Sequence, residues 1–304
     1  MTQSTPHPFA AFVGIDWADA QHEVCLQAAG SAKRAGFQLD HTPDAIDAWG
    51  TTLRPRFNGH PVALCLERNK GPLVFALRTY DFLILCPLQP LTLARYRAAL
   101  TPSRATDEPT AAALHLALLL PHRDKLQPLH PQRPTMRVLA QLVAHRRRVV
   151  GDTVRLTHRL TSTLKNYFPH ALQWFQDKAT RLFCDVLSRW PTRTAAQLAR
   201  RSTLATFCRD HHGRSSAVID KRLHAIHAAS PLTIDAGVIA PHALLVQPLV
   251  SPLRVTLPAI EPVDNAIAQR AQRHPEFPLF QALPGAGPVF ASRLLVACGA
   301  QRDR

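Results

Sequence analysis

The sequence predicts an α/β fold: a mixed sheet with flanking helices, followed by a basic all-helical segment. Three observations carry this reading. Short apolar runs of strand length recur through roughly the first ninety residues, bounded by turn signals. The early runs follow one another directly while the later ones alternate with helical patterns, so hairpins precede crossover connections. Past about residue 132 the apolar period becomes three and four residues, and basic side chains accumulate.

Each element follows in order. "AFVGID" (11–16) reads as a buried strand ending at Asp16. "HEVCLQA" (22–28) and "RAGFQLD" (34–40) are the next strands, joined by the turn signal "AGSAK". "TPDAIDAWGTTL" (42–53) is helical, with Thr42 as N-cap, Pro43 in the first position and acids in the first turn. "PVALCLE" (61–67) is a buried strand ending at Glu67, "GPLVFALRTY" (71–80) a short helix and "FLILCPL" (82–88) a fifth strand. "PLTLARYRAAL" (90–100) is a further helix. "SRATDEPTAAALHLALLL" (103–120) starts another, with Asp107, Glu108 and Pro109 at its threshold, where a positive dipole end favours acids.

The second half reads as helices throughout. Leu139, Val143, Val150, Val154, Leu160 and Leu164 mark one face of a helix of about 30 residues. Arg146, Arg147, Arg148, Arg155, Arg159 and Lys165 occupy the other faces. Helices over 178–190, 194–210 and 215–229 follow. Residues 245–267 carry a conflict, because Leu245, Leu249, Leu253, Leu257, Ile260, Val263 and Ile267 form a helical stripe that Pro248, Pro252, Pro258 and Pro262 interrupt. At about 3 kcal/mol for each interior proline, the expectation is a helix being lost. "LPGAGPVFASRLL" is a Gly-rich turn opening an apolar helix, a geometry whose backbone N–H groups can face a phosphate.

Charge narrows the function. Of the net +15, residues 122–224 hold +14, with 20 Lys/Arg against 6 Asp/Glu, while residues 1–121 are neutral. So local an excess is the footprint of a phosphate-backbone binder. The opening residues lack a signal peptide's basic start and apolar run, and no stretch approaches about 18 uninterrupted apolar residues, so no membrane span is expected. The six cysteines are scattered, without a CxxC pair, so neither a disulfide framework nor a structural zinc site is expected. The sixteen histidines, His211 and His212 among them, show no ligand spacing and are expected to pack or to be solvated. Carboxylates at strand ends, joined by acids from a helix, suit Mg²⁺ and phosphodiester chemistry.

"FVGIDWADAQHEVCL", "VALCLERNKGPLVFAL" and "SRATDEPTAAALHLALLL" resemble the N-terminal RuvC-like, DEDD domain of the insertion-sequence transposases related to the Piv DNA invertase, recombinases guided by a bridge RNA. "RRRVVGDTVRLTHRLTSTLKNYFP" is similar to that family's basic helical segment, and "FQALPGAGPVFASRLLVACG" to the start of its C-terminal transposase domain. The resemblance implies an RNase H-like domain over 10–122, a basic helical or coiled-coil segment over 123–275, and the start of a C-terminal helical domain over 276–304. It implies Asp16 and Glu67 as the first two catalytic acids and metal ligands. Glu108 takes the third position with Ala111 at the fourth, or Asp107 the third with Thr110 at the fourth. It also implies Mg²⁺, a DNA substrate, a guide RNA, homo-oligomers and a cytoplasmic, nucleoid-associated setting. The basic residues 146–165 would grip nucleic acid. With the fourth acid missing, prolines in a helix and an end soon after residue 298, the expectation is a truncated copy with impaired strand cleavage. Its rivals are a non-catalytic nucleic-acid-binding remnant and a Holliday-junction-type nuclease.

Overall fold

The structure, a computed structural model, describes residues 9–89, 91–95, 110–122, 128–129, 133–175, 177–211 and 216–298. The chain divides into two compact units, Met1–Pro131 and Gln132–Arg304.

The first unit is built on one five-stranded mixed sheet. Strands β1 (Ala11–Asp16), β2 (Gln21–Ala28) and β3 (Arg34–Asp40) form an antiparallel meander, and β4 (Val62–Leu66) and β5 (Leu83–Pro87) add in parallel on the other side of β1, giving the order β3-β2-β1-β4-β5. Helix α1 (Pro43–Arg56) begins as expected, with the Thr42 hydroxyl accepting from the Ala45 N–H, and α2 (Pro72–Leu77) links β4 to β5. Both helices lie on the sheet face lined by Val13, Ile15, Leu64 and Leu66. The opposite face, with Phe12, Ala63 and Cys65, packs against α3 (Ala111–His122). All six cysteines are free, and burial pushes the thiol of Cys86 up to about 11, so it is a poor nucleophile.

The second unit is helical. Helix α4 (Pro134–Tyr167) is followed by α5 (His170–Trp174), α6 (Arg181–Arg189), α7 (Arg193–Leu198), α8 (Arg201–Asp210), α9 (Ser216–Ala228), α10 (Ala236–Gln272), α11 (Phe277–Gln281) and α12 (Pro288–Cys298). The single helix expected over 194–210 is two, broken where Ala199 adopts an extended backbone.

The lost helix of 245–267 is not lost. Residues 236–272 form one continuous helix with five interior prolines, at 241, 248, 252, 258 and 262. Every one of them is exposed, on the side away from Val246, Leu249, Val250, Leu253 and Ile267. The carbonyl four residues before each proline therefore loses its N–H partner on the solvent side, where water replaces it, and the buried stripe keeps its ladder. By length and composition α10 could cross a bilayer. Its stripe instead packs along α4 and α6, and its Arg254 and Asp264 form ion pairs with Asp185 and Arg146.

On α4 the buried positions include Leu139, Thr153, Leu160 and Leu164, whereas Val154, expected on the apolar face, is exposed. Thr153 takes its place because its hydroxyl donates back to the Val149 carbonyl at 2.9 Å and faces Thr256. Helix α12 finds its partners upstream, in a cluster with Met136, Leu139, Ile267 and Phe277.

Candidate metal centre

The site follows from strand alternation. Successive side chains point to opposite faces, so Phe12, Gly14 and Asp16 share the α3 side of β1, and Ala63, Cys65 and then Glu67 share the α3 side of β4. The parallel register pairs Phe12 with Ala63 and Gly14 with Cys65. Its continuation sets Asp16 beside Glu67 at the carboxyl ends of adjacent parallel strands, where open α/β sheets hold their ligands.

Gly14 brings the third group in. A Cβ there would run into the carbonyl oxygen of Ala112 and stand 2.7 Å from the amide nitrogen of Leu116. Only glycine lets the backbone of α3 lie this close to β1. The Ala and Leu side chains of α3 fill the remaining space, and one polar residue in the apolar run, His115, meets the strand ends. Its side chain is fully buried, with Nε2 3.5 Å from Glu67 Oε1. One ligand atom from each of Asp16, Glu67 and His115 lies within 4.8 Å of the others.

His115 is the residue that sequence reasoning missed. It sits one helical turn past Ala111, the position that lacks the fourth acid, and on the same face. That i, i+4 relation was the available signal. Asp107 and Glu108 lie outside the described residues; Ala111 opens α3 and offers no ligand.

The α2 side of the same strand ends, across the sheet from α3, is cationic and aromatic. The Arg68 guanidinium lies 3.9 Å from the centre of the Trp17 ring, and Trp17, Arg68 and Lys70 line a small groove with Gly71. Beneath the turn that follows Asp16, buried His22 accepts the Ala18 N–H at Nδ1, so its Nε2–H donates to His41 Nδ1 at 2.8 Å. Burial, then the neighbouring His41, pushes the His22 pKa below 6.5. The unfolded chain takes up the proton that the folded one refuses, so stability is full above about pH 6.5 and falls as the pH drops below it. The protection factors of the β1–β2 amides, exchange rates corrected for their intrinsic pH dependence, are expected to fall between about pH 7 and 5. His22→Asn, which keeps an acceptor for Ala18, is expected to flatten that dependence; an equally steep fall in the variant would contradict the assignment.

In the second unit, Arg147, Arg148, Arg155, Arg159 and Lys165 are exposed along α4. Arg148, Arg155 and Arg159, spaced by seven and four residues, share a face. Arg146 is half-buried, and its Nη2 donates to Asp264 Oδ2 at 3.1 Å, which pins α4 to α10. Arg146, Arg147 and Arg293 line a cleft of about 100 Å³ with Val143, Val150, Ile267 and Val289, joining the "LPGAGPVFASRLL" helix to the basic helix.

Comparison with known proteins fits this geometry. Residues 13–169, more than half of the chain, match the family model for the IS110-type DEDD transposase. A Streptomyces coelicolor protein named "Mini-circle putative transposase for IS117" is 26% identical over 96% of this chain and 72% of its own length. A Sinorhizobium fredii protein named "Putative transposase y4uE" is 23% identical over 67% of this chain, which spans 57% of that relative's length. A transposase acts on DNA, and a DEDD acid set points to a divalent cation. The chain belongs to the IS110-type DEDD transposases, the transposases of insertion sequences.

Proposed function

We propose that this chain cleaves and rejoins DNA strands at the carboxyl ends of β1 and β4, with Mg²⁺ held by Asp16 and Glu67 and by Glu108 or Asp107. The supporting observation is the convergence of Asp16, Glu67 and a buried imidazole at the ends of two adjacent parallel strands. A divalent cation bound there supplies Lewis-acid polarisation of the phosphodiester and a more acidic attacking hydroxyl. Asp16 and Glu67 fix its place. Arg68 and Lys70, just past Glu67 in the chain, add positive charge near the incoming phosphate. The exposed arginines of α4 and Lys165 hold nucleic-acid backbone, DNA or a guide RNA, and self-association in the nucleoid belongs to the same reading. With no carboxylate at Ala111, strand cleavage is slow, since a ligand misplaced by about 1 Å can cost about 100-fold.

The test is nicking of supercoiled plasmid by the full chain with Mg²⁺, beside Glu67→Gln. The expected result is slow, metal-dependent nicking that falls about 100-fold or more in the variant. Equal nicking by both proteins would overturn the assignment. The density of exposed basic residues on α4 favours a second reading, nucleic-acid binding without cleavage. Under it, nicking is absent and duplex affinity falls with salt at a log–log slope of about −4.5, near 0.9 per phosphate contacted by five basic side chains.

A further inference from the structure

Both ring nitrogens of His115 are buried, and neither has a hydrogen-bond partner among the described residues. The 3.5 Å approach of Nε2 to Glu67 Oε1 is too long for a good hydrogen bond. Leaving a buried polar atom unsatisfied costs roughly 1–3 kcal/mol, so an imidazole set among Leu114, Leu116, Leu118 and Leu119 without a partner is a group without a structural reason. Leucine would fill the same space at no such cost. The ring is aimed where the two carboxylates meet.

The separations suit a shared ion. Donors about 2.1 Å from one cation stand roughly 3 Å apart when adjacent and about 4.2 Å apart when opposite. A 3.5 Å spacing inside a 4.8 Å envelope is within a small side-chain adjustment of that geometry. The substitution also has a positional logic. Ala111 cannot ligate, and His115, one turn along the same face with a longer side chain, reaches the strand ends that an acid at 111 would serve.

The geometry points to a mixed oxygen–nitrogen cation site of Asp16, Glu67 and His115 that takes a transition-metal dication such as Mn²⁺ in preference to Mg²⁺. This rests on the reading that the strand ends form a metal site, and it names the ligand and the selectivity that follow from an imidazole there. Mg²⁺ demands oxygen donors and sheds its waters reluctantly; Mn²⁺ also favours oxygen, but as the first of the transition-metal series it gains from an imidazole nitrogen where Mg²⁺ does not, and the later ions gain more. The Asp16 and Glu67 carboxylates supply the charge; His115 supplies the discrimination.

Two measurements on the full chain test it. Calorimetric titration with MnCl₂ and with MgCl₂ is expected to give Mn²⁺ an affinity at least about 10-fold higher, and His115→Leu is expected to erase that preference while leaving the protein folded. Electron spin echo spectroscopy of the Mn²⁺ complex of the unaltered protein is expected to show nitrogen modulation, a readout that needs no variant. Equal affinities, or Mn²⁺ bound without nitrogen modulation, would overturn the His115 assignment and leave the carboxylate site standing. Binding of neither ion would overturn both.

Discussion

Gly14→Ala is expected to lower the melting temperature of the N-terminal unit by roughly 10 °C and to abolish tight cation binding together. Overpacking usually costs about 1–3 kcal/mol where side chains can move aside. Here the added methyl meets backbone, the Ala112 carbonyl and the Leu116 amide, so α3 itself must retreat. The cost therefore lies at about 3 kcal/mol or beyond, and at about 4 °C per kcal/mol for a unit of this size that gives the expected shift. His115 Cβ stands 3.1 Å from the same methyl position, so the ring is carried away from Glu67 as the helix moves. Scanning calorimetry with a parallel Mn²⁺ titration checks both effects. A variant that melts within about 2 °C of the parent and binds Mn²⁺ normally would show that α3 is not docked against β1 as described.

Asp185→Ala is expected to destabilise the helical unit by about 3 kcal/mol. Asp185 lies in α6 with its side chain only 10% exposed, and it meets Arg181 of its own helix, Arg254 of α10 and His211 at the end of α8. His211 Nε2 stands 2.7 Å from Oδ2, Arg254 Nε 2.7 Å from Oδ1, and Arg181 Nε 3.5 Å from Oδ2. Removing one partner of a buried pair costs about 3–5 kcal/mol, mostly through the charge left behind. The lower end applies, because Arg181 and Arg254 reach water and can be resolvated. His211 cannot withdraw as easily, since Nδ1 is held at the Phe207 carbonyl. Asp185→Asn keeps the volume and one acceptor oxygen, so it is expected to cost about half as much. Urea denaturation followed at Trp190 separates the two variants, and an Asp185→Ala midpoint equal to the parent's would remove the cluster from the account.

Much of the first unit was legible because its signals are local. The bounds of β1 and β3 coincide with "AFVGID" and "RAGFQLD", and Thr42–Pro43 starts α1 as a cap and first-turn proline should. Asp16 and Glu67 could be picked out because each closes an apolar run. Their pairing depends on register, which two hairpins and one crossover constrain but do not state. His115 was hidden for a different reason. Within "AAALHLALLL" nothing marks which helical face meets the sheet, and the residue that decides it, Gly14, lies a hundred residues upstream.

The prolines of α10 show the opposite failure. The full helix-interior cost does not apply to them, because the face they occupy is turned to solvent, where a freed carbonyl finds water. Thr153 and Val154 exchange roles on α4 because a backbone-bonded hydroxyl can be buried next to Thr256, something apolar periodicity does not anticipate.

The central claim is that the ends of β1 and β4, with α3 above them, assemble a cation site in this transposase. Calorimetric titration of Mn²⁺ into the full-length chain, beside Glu67→Gln, tests it most directly. The predicted result is saturable heat near one ion per chain that vanishes in the variant. Identical heats from the two proteins, or none from either, would contradict it.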